Sequence, residues 1–487
     1  MYGKPLANIL HIPWQETFIA LGYIGLILII FEGGLTARLD LLQANFTLSV
    51  CAAATGVLCP VGFSYLLLYL GFGYGPVETF IIGAALSATS LGTTFAVISG
   101  ASKSVDLSQT RVGAVLVSAA VIDDVTGLVM SSVIHDLGSI SSGGTSLGWL
   151  IGRPIVASAA MAILTPILSK WLFAPFFRKY LESRFARYDH ISNIILMILI
   201  LSAFLAIAAY AGTSVLFGAF LAGSFLTYLP SKHPEGPFVV LSREEGEESK
   251  HKSPTFIHTF ECYCLDSQQY ILEPLFFASI GFAIPFLSLW TGEAIWKGIV
   301  YSLLMLAGKA LVGIWIPVWG TLKPPPPRAP GDGTPMPGQP IEEASGAERL
   351  AEPFAQSSDA EKQHQSSKEQ DGGKLTRITT KNLNAGRAAM WPGLLLSMAM
   401  VARGEIGLLI VEIGYNNTPY VSEAGFITAI WAILLNTILG PMAVGLVVRY
   451  KGAAIGHGDW GLVPGPMQKL EKERRSRQVG AEGSDEA

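Results

Sequence analysis

The chain is short of charged residues. Asp, Glu, Lys and Arg make up only 14% of its 487 residues and hydrophobic residues 50%, whereas about 25% of a soluble domain is charged. Four cysteines, two in apolar stretches and two in a C-x-C (Cys262 and Cys264), provide no disulfide framework and no zinc site. The formal net charge of -4 gives no indication of a nucleic-acid partner. The composition therefore indicates a membrane protein with several spans.

Long hydrophobic stretches recur along the sequence. A helix needs about 20 mainly apolar residues to cross the hydrocarbon core of a bilayer. Eleven stretches approach this length, so the predicted fold class is an all-α polytopic membrane protein with about 11 transmembrane helices. The predicted spans are 17–35, 46–70, 77–99, 109–134, 149–173, 190–210, 213–229, 270–289, 294–319, 389–413 and 423–448.

Hydrophilic segments divide these spans into blocks. The Pro-rich segment 321–388 has too few apolar residues to repay the entropy of ordering, so disorder is predicted there. In the tail, the glycine pattern of Gly456 to Gly461 has no strand before it and no room for a nucleotide-binding unit after it, so a chance match is the favoured interpretation. The predicted organisation is 1–229 (N-terminal membrane half, seven spans, with the Asp-Asp helix at 109–134), 230–269 (cytoplasmic charged loop), 270–320 (two spans), 321–388 (cytoplasmic insertion), 389–448 (two spans) and 449–487 (cytoplasmic tail).

Basic residues are distributed unevenly between the two sets of loops. Most of the 33 Lys and Arg residues fall in alternate loops and in the tail, whereas the opposite set contains only Lys4, Arg153 and Lys297. By the positive-inside rule, the C-terminus is predicted to be cytoplasmic and the N-terminus outside. The sequence does not distinguish the plasma membrane from an internal membrane.

Charged residues at membrane depth are the strongest functional signal. An ionised side chain there costs roughly 2.5 to 3.5 kcal/mol, so the adjacent Asp123 and Asp124 predict an ion and proton site. Lys309 is also deep in a span, and an ion pair with one carboxylate is the least costly explanation for both. Adjacent helical residues point about 100° apart. One aspartate is therefore expected to pair with Lys309, while the other faces a cavity where a proton and a cation compete.

Two other spans contain polar or helix-breaking runs at membrane depth, residues 87–94 and 402–407. Both are interpreted as interrupted helices, which are tolerated at this depth only inside the protein or beside a cavity. Backbone carbonyls and the hydroxyls of Thr89 and Ser90 are hard ligands, which suit an alkali cation. The alternative is that small residues in these runs only allow the helices to pack closely.

These runs are similar to the monovalent cation/proton antiporter superfamily, in the branch with an Asp-Asp motif that includes sodium/hydrogen exchangers. The matching segments are LILIIFEGGLTARLDLL, ALSATSLGTTFAVIS, AAVIDDVTGLV, LFGAFLAGSFL, EPLFFASIGF, AGKALVG and MVARGEIGLLI. The resemblance implies a fold with inverted repeats, in which two discontinuous helices, here 77–99 and 389–413, cross in a core domain beside a dimerisation domain.

The resemblance also implies roles for individual residues. Asp124 would bind the transported Na⁺ or K⁺ and the proton, and Asp123 would be the partner of Lys309. Arg403 and Glu405 resemble the charged pair at the break of the second crossed helix. The family usually has thirteen spans with the Asp-Asp helix sixth, whereas here it is fourth, so two preceding spans are expected to be missing. The Pro-rich insertion resembles fungal members.

The predicted function is secondary antiport of Na⁺ or K⁺ against protons by alternating access, without enzymatic chemistry or a cofactor, and with a homodimer implied by the family. One alternative is a cation channel, or an inactive, signalling relative, because of the missing helices. An intramembrane aspartyl protease is a second alternative. That chemistry needs acids on two different helices, and apart from Asp123 and Asp124 the sequence has no aspartate in the middle of a predicted span. Flux measurements in proteoliposomes distinguish a transporter from a channel.

Overall fold

The computed structural model of the protein describes residues 11–37, 42, 45–90, 110–138, 147–230, 255–322, 389–457 and 460. The regular elements of these residues are helices. The fourteen helices used below are α1 (Ile12–Thr36), α2 (Phe46–Ser64), α3 (Pro76–Ser87), α4 (Arg111–Gly138), α5 (Leu147–Leu168), α6 (Glu182–Ala211), α7 (Val215–Tyr228), α8 (Phe256–Tyr263), α9 (Glu273–Ala283), α10 (Gly292–Ala310), α11 (Trp315–Leu322), α12 (Met390–Ala399), α13 (Glu405–Asn417) and α14 (Glu423–His457).

The all-helical prediction is confirmed. Seven helical stretches in the described part of the chain are long and apolar enough to cross a membrane, and they coincide with seven of the eleven predicted spans. The other four predicted spans contain shorter helices, which are α3, α7, α9 and the pair α12 and α13. In the last of these, α12 ends at Ala399 and α13 starts only at Glu405, so the stretch 389–413 contains two half-helices.

Helical structure extends into two segments that were predicted to lie outside the spans. Residues 256–263, in the predicted charged loop 230–269, form α8, whose first turn is capped because Thr255 Oγ1 accepts a hydrogen bond from His258 N. Helix α14 continues to His457, past the predicted end of the last span. Beyond it, the buried Trp460 places its carbonyl oxygen 3.2 Å from Val112 N at the start of α4. The insertion is described only at 321 and 322, and the tail after 460 lies outside the described residues.

Helices α1 and α7 approach each other through glycine. A β-carbon on Gly34 would overlap the carbonyl oxygen of Phe220, and one on Gly223 would overlap that of Phe31. Thr227 Oγ1 strengthens the contact by donating a 3.0 Å hydrogen bond to Leu35 O. This close packing fixes the end of α1, where Glu32 is located.

Replacing Gly34 with Ala is therefore expected to lower the free energy of unfolding by about 1 to 3 kcal/mol, because the added methyl group must push the two helices apart. Thermal unfolding of the purified protein in detergent measures the effect. Gly33→Ala is the matched control on the same helix, since nothing lies within 4 Å of a β-carbon at that position. Equal melting temperatures for the two variants would contradict this account of the α1–α7 contact.

Candidate ion and proton site

Two interrupted helices meet next to the middle of α4. Helix α3 ends at Ser87, and the described chain continues without helical structure to Ser90. The other break, at residues 400–404, separates α12 from α13. The two breaks are joined by a hydrogen bond of 2.9 Å from Ser90 N to Ala402 O. They cross closely, since a β-carbon on Gly407 would lie 2.7 Å from Ala85 O. The rest of the predicted run, including Thr93 and Thr94, lies outside the described residues.

Asp123 and Lys309 form an ion pair in the interior. Lys309 Nζ lies 2.8 Å from Asp123 Oδ2, and both side chains have no exposed surface. The ammonium group also donates to Ser87 O at 2.7 Å and to Thr89 Oγ1 at 3.0 Å, and the Thr89 hydroxyl donates to Asp123 Oδ2 at 2.5 Å. The three donors of the lysine are thus all used. Burial of the two charges is compatible with folding because each has its partner and hydrogen bonds.

Arg403 binds backbone carbonyls at the C-terminal end of α3. It is almost completely buried, and its Nη1 donates to Ala88 O at 2.8 Å and to Ser87 O at 3.3 Å. The C-terminal end of a helix carries a partial negative charge, and here Lys309 and Arg403 both lie against it. Among the described residues, Arg403 and Glu405, the charged pair implied by the family resemblance, do not form an ion pair. In this conformation the carbonyls of Ser87 and Ala88 therefore bind protein cations.

Asp124 differs from its neighbour in two respects. Its side chain is half-buried, and the ion pairs and side-chain hydrogen bonds of the described residues include none to it, whereas Asp123 Oδ2 is bound by Lys309 and Thr89. The Oδ1 atoms of both aspartates are buried without a hydrogen-bond partner among the described residues. The charged groups that act on Asp124 are Glu405, Asp123 and Lys309. With all these groups ionised, Asp123, Asp124 and Glu405 exceed Lys309 and Arg403 by one negative charge. The carboxylate of Asp124 is best satisfied by a proton or by a cation.

The structure thus places Asp123, Lys309 and Thr89 in direct contact and joins them to Arg403 through the end of α3. Ser90 lies in the break that follows α3, and the charge of Glu405 acts on Asp124. A cavity of about 290 Å³ lies elsewhere, lined by residues that include Tyr74, Thr291, Glu293, Lys297 and Thr428.

Glu32 is one of the acidic residues inside a predicted span that the sequence analysis did not consider. It lies within the span 17–35, and its Oε2 accepts a 2.5 Å hydrogen bond from Gln268 Nε2. The signal was available, because an acidic residue inside an apolar stretch is costly wherever it occurs.

Membrane-spanning helices, two interrupted helices in contact and a buried lysine–aspartate pair define a polytopic membrane protein with a charged site in its interior. The family model described as "Sodium/hydrogen exchanger, transmembrane" matches residues 2–322, which is more than half of the chain. The chain therefore belongs to the sodium/hydrogen exchanger family.

Several curated proteins are similar to parts of the chain. The Na⁺/H⁺ antiporter of Enterococcus hirae is 30% identical over 212 residues, which are 43% of this chain and 52% of that protein. The high-affinity Na⁺/H⁺ antiporter NhaS3 of Synechocystis sp. is 27% identical over 163 residues, 34% of each chain. The alignments thus span about a third to a half of the length of these relatives. The solved structure of the sodium proton antiporter MjNhaP1 from Methanocaldococcus jannaschii at pH 8 has 17% identity and a TM-score of 0.47, covering 91% of this chain and 88% of that one.

Proposed function

We propose that this protein exchanges a monovalent cation, Na⁺ or K⁺, for protons across a membrane, and that Asp124 binds the two in turn. The observation that carries the proposal is the contrast between the two aspartates. Asp123 is held by Lys309 and Thr89, whereas the half-buried Asp124 has no ion pair with a cationic side chain among the described residues. The relatives from Enterococcus hirae and Synechocystis are named Na⁺/H⁺ antiporters, which supports the same reaction.

Competition for one carboxylate is sufficient to couple the two ions. Deprotonated Asp124 lies near the negative charge of Glu405 and attracts a cation, and the bound cation then excludes the proton. Thr89 and Ser90 are next to the site and supply further oxygen ligands once Lys309 has shifted. Alternating access of the site to the two sides prevents either ion from crossing without exchange.

The charge distribution supports an orientation for this reaction. With the basic loops and the tail 449–487 on the cytoplasmic side, the site on α4 lies between the two aqueous phases. The blocks 1–229, 270–320 and 389–448 form the membrane part in this proposal, and the family resemblance supports a homodimer.

Flux in proteoliposomes tests the proposal. An inward gradient of Na⁺ or K⁺ should drive protons out of vesicles containing the purified protein, as reported by a pH-sensitive dye, and empty vesicles set the background. Choline chloride at equal ionic strength should give no signal. Cation flux that persists without proton movement would identify a channel, and absence of flux with both cations would overturn the proposal.

Exchange is also expected to be electrogenic, with two protons moved per cation. If the cation draws Asp123 away from Lys309, the buried ammonium loses its ion-pair partner and releases a proton. One net charge is then worth about 2.3 kcal/mol per 100 mV of membrane potential. Currents on a solid-supported membrane measure this. Lys309→Arg is the control, because a guanidinium does not deprotonate and should make the exchange electroneutral. An active wild-type protein that produces no current would rule out the two-proton scheme.

A further inference from the structure

A polar cavity lies where α10 and α14 begin, beside the loop that precedes α3. Its volume is about 290 Å³, close to the lower end of the range of about 300 to 1,000 Å³ for ligand pockets. Its lining includes Tyr74, Thr291, Glu293, Lys297 and Glu423 and none of the charged residues of the ion and proton site. The cavity is therefore a separate feature, which the proposed exchange does not use.

Exposed aromatic side chains place this cavity at the level of the lipid headgroups. Phe286, Trp290 and Trp296 are 57%, 58% and 49% exposed, and the two tryptophans directly neighbour Thr291 and Lys297 in the chain. Tryptophan is enriched where a membrane meets water, because its ring is apolar and its N–H group needs a partner. Helices α3, α10 and α14 all begin here, so the cavity lies at one end of their spans. A phospholipid has its headgroup at the same depth.

Lys297 gives the cavity a positive charge in a fixed position. Its Nζ lies 2.6 Å from Glu293 Oε1. The same atom lies 5.3 Å from the ring centroid of Phe72 and 5.7 Å from that of Tyr74. An ammonium group has three donors, and the hydrogen bond to Glu293 uses one of them. The first turns of α10 and α14 add the positive ends of two helix dipoles, which favour phosphate groups.

Two carboxylates give the cavity the opposite charge. Glu293 and Glu423 lie in the first turns of α10 and α14, so the two acids and Lys297 favour a ligand that also has a cationic group. A primary ammonium donates hydrogen bonds to carboxylates. A quaternary ammonium needs open aromatic faces instead, and Lys297 already covers the rings of Phe72 and Tyr74. The lining therefore suits phosphoethanolamine better than phosphocholine or an anionic headgroup.

We propose that this cavity binds the phosphoethanolamine headgroup of a membrane phospholipid, with the phosphate at Lys297 and the ammonium at Glu423. The acyl chains then lie along the side of α10 on which Trp296, Ile299 and Leu303 are exposed. Their spacing of three and four residues puts these side chains in one stripe of the helix. A lipid bound in this way bridges α10 and α14 at the membrane surface.

Thermal unfolding of the purified, delipidated protein in detergent tests this site. Phosphatidylethanolamine should raise the melting temperature more than phosphatidylcholine or phosphatidylglycerol with the same acyl chains. In Lys297→Ala, the concentration of phosphatidylethanolamine that gives half of the shift should rise about tenfold or more, because a hydrogen bond to an ionised group contributes at least that much to binding. Glu423→Gln should reduce the difference between phosphatidylethanolamine and phosphatidylcholine. Each variant is compared with itself without lipid, so its own stability does not affect the result.

Lys451→Ala is the matched control. Lys451 Nζ also lies over an aromatic ring, 5.1 Å from the centroid of Trp391, but at the opposite end of α14. This variant should keep the wild-type preference for phosphatidylethanolamine. Equal shifts with the three lipids in the wild-type protein, or an unchanged half-effective concentration in Lys297→Ala, would overturn the site. Phosphoethanolamine without acyl chains should have no effect at the concentrations at which the lipid acts, and an equal shift with it would overturn the assignment to a lipid.

Discussion

Replacing Asp124 with Asn is expected to reduce cation/proton exchange in proteoliposomes to the background of empty vesicles while leaving the protein folded. The amide has nearly the same volume as the carboxyl group, but it neither releases a proton nor neutralises a bound cation. Little structure should be lost, because Asp124 Oδ1 has no hydrogen-bond partner among the described residues. Exchange is measured with a pH-sensitive dye, and melting in detergent measures folding.

Two further substitutions on α4 sharpen this test. Asp124→Glu retains a carboxyl group that titrates but displaces it by one methylene, so exchange should continue at a reduced rate. Asp136→Asn removes a carboxylate near the C-terminal end of α4, where Asp136 Oδ1 lies 3.7 Å from His135 Nδ1. This substitution should leave the exchange rate unchanged. Exchange at the wild-type rate in Asp124→Asn would remove Asp124 from the transport site.

The sequence predicts the long helices well because the length of an apolar run limits what it can form. The runs at 46–70 and 109–134 are long enough to cross a bilayer and have no favourable alternative in water. Helix α8 was not predicted, because it has only eight residues and lies within a segment that is polar on average. Its cap at Thr255 is a local hydrogen bond, to which an average over the composition of the segment is not sensitive.

The site was predictable where it depends on side-chain charge. Lys309 and an aspartate are each costly alone in a membrane, and the structure has Lys309 in contact with Asp123. The partners of Arg403 were not predictable, because it binds the carbonyls of Ser87 and Ala88. Every residue has a backbone carbonyl, so the sequence gives no signal of which ones a cation will use. Their roles in transport stay a prediction.

Arg403 and Lys309, the two cations at the end of α3, differ in their ability to lose a proton. Arg403 remains charged under all ordinary conditions, so it can hold the break of α3 against that of α13 throughout a transport cycle. Lys309 is able to lose its proton and its partner. We therefore expect Arg403 to maintain the crossing of the interrupted helices, while Lys309 takes part in coupling.

Lys309→Ala is expected to cause the largest loss of stability. Removing the ammonium leaves Asp123 buried without a counter-ion, and breaking a buried ion pair in this way costs roughly 3 to 5 kcal/mol. The double variant Asp123→Asn with Lys309→Ala should recover much of this loss, because no uncompensated charge remains and the introduced amide can still accept the hydrogen bond from Thr89. Unfolding of both variants in detergent provides the measurement.

Helix α10, which contains Lys309, also provides a matched control for the Lys309→Ala substitution. Lys297, near the start of α10, pairs with the largely exposed Glu293 at 2.6 Å. An ion pair with an exposed partner contributes little to stability because water screens its charge, and the Glu293 side chain is 71% exposed, although that of Lys297 is only 16% exposed. Lys297→Ala should therefore shift the melting temperature far less than Lys309→Ala, although both remove an ammonium group from an ion pair. If the single Lys309→Ala variant and the double variant unfold at the same temperature, the loss comes from packing around the lysine stem rather than from the unpaired charge of Asp123.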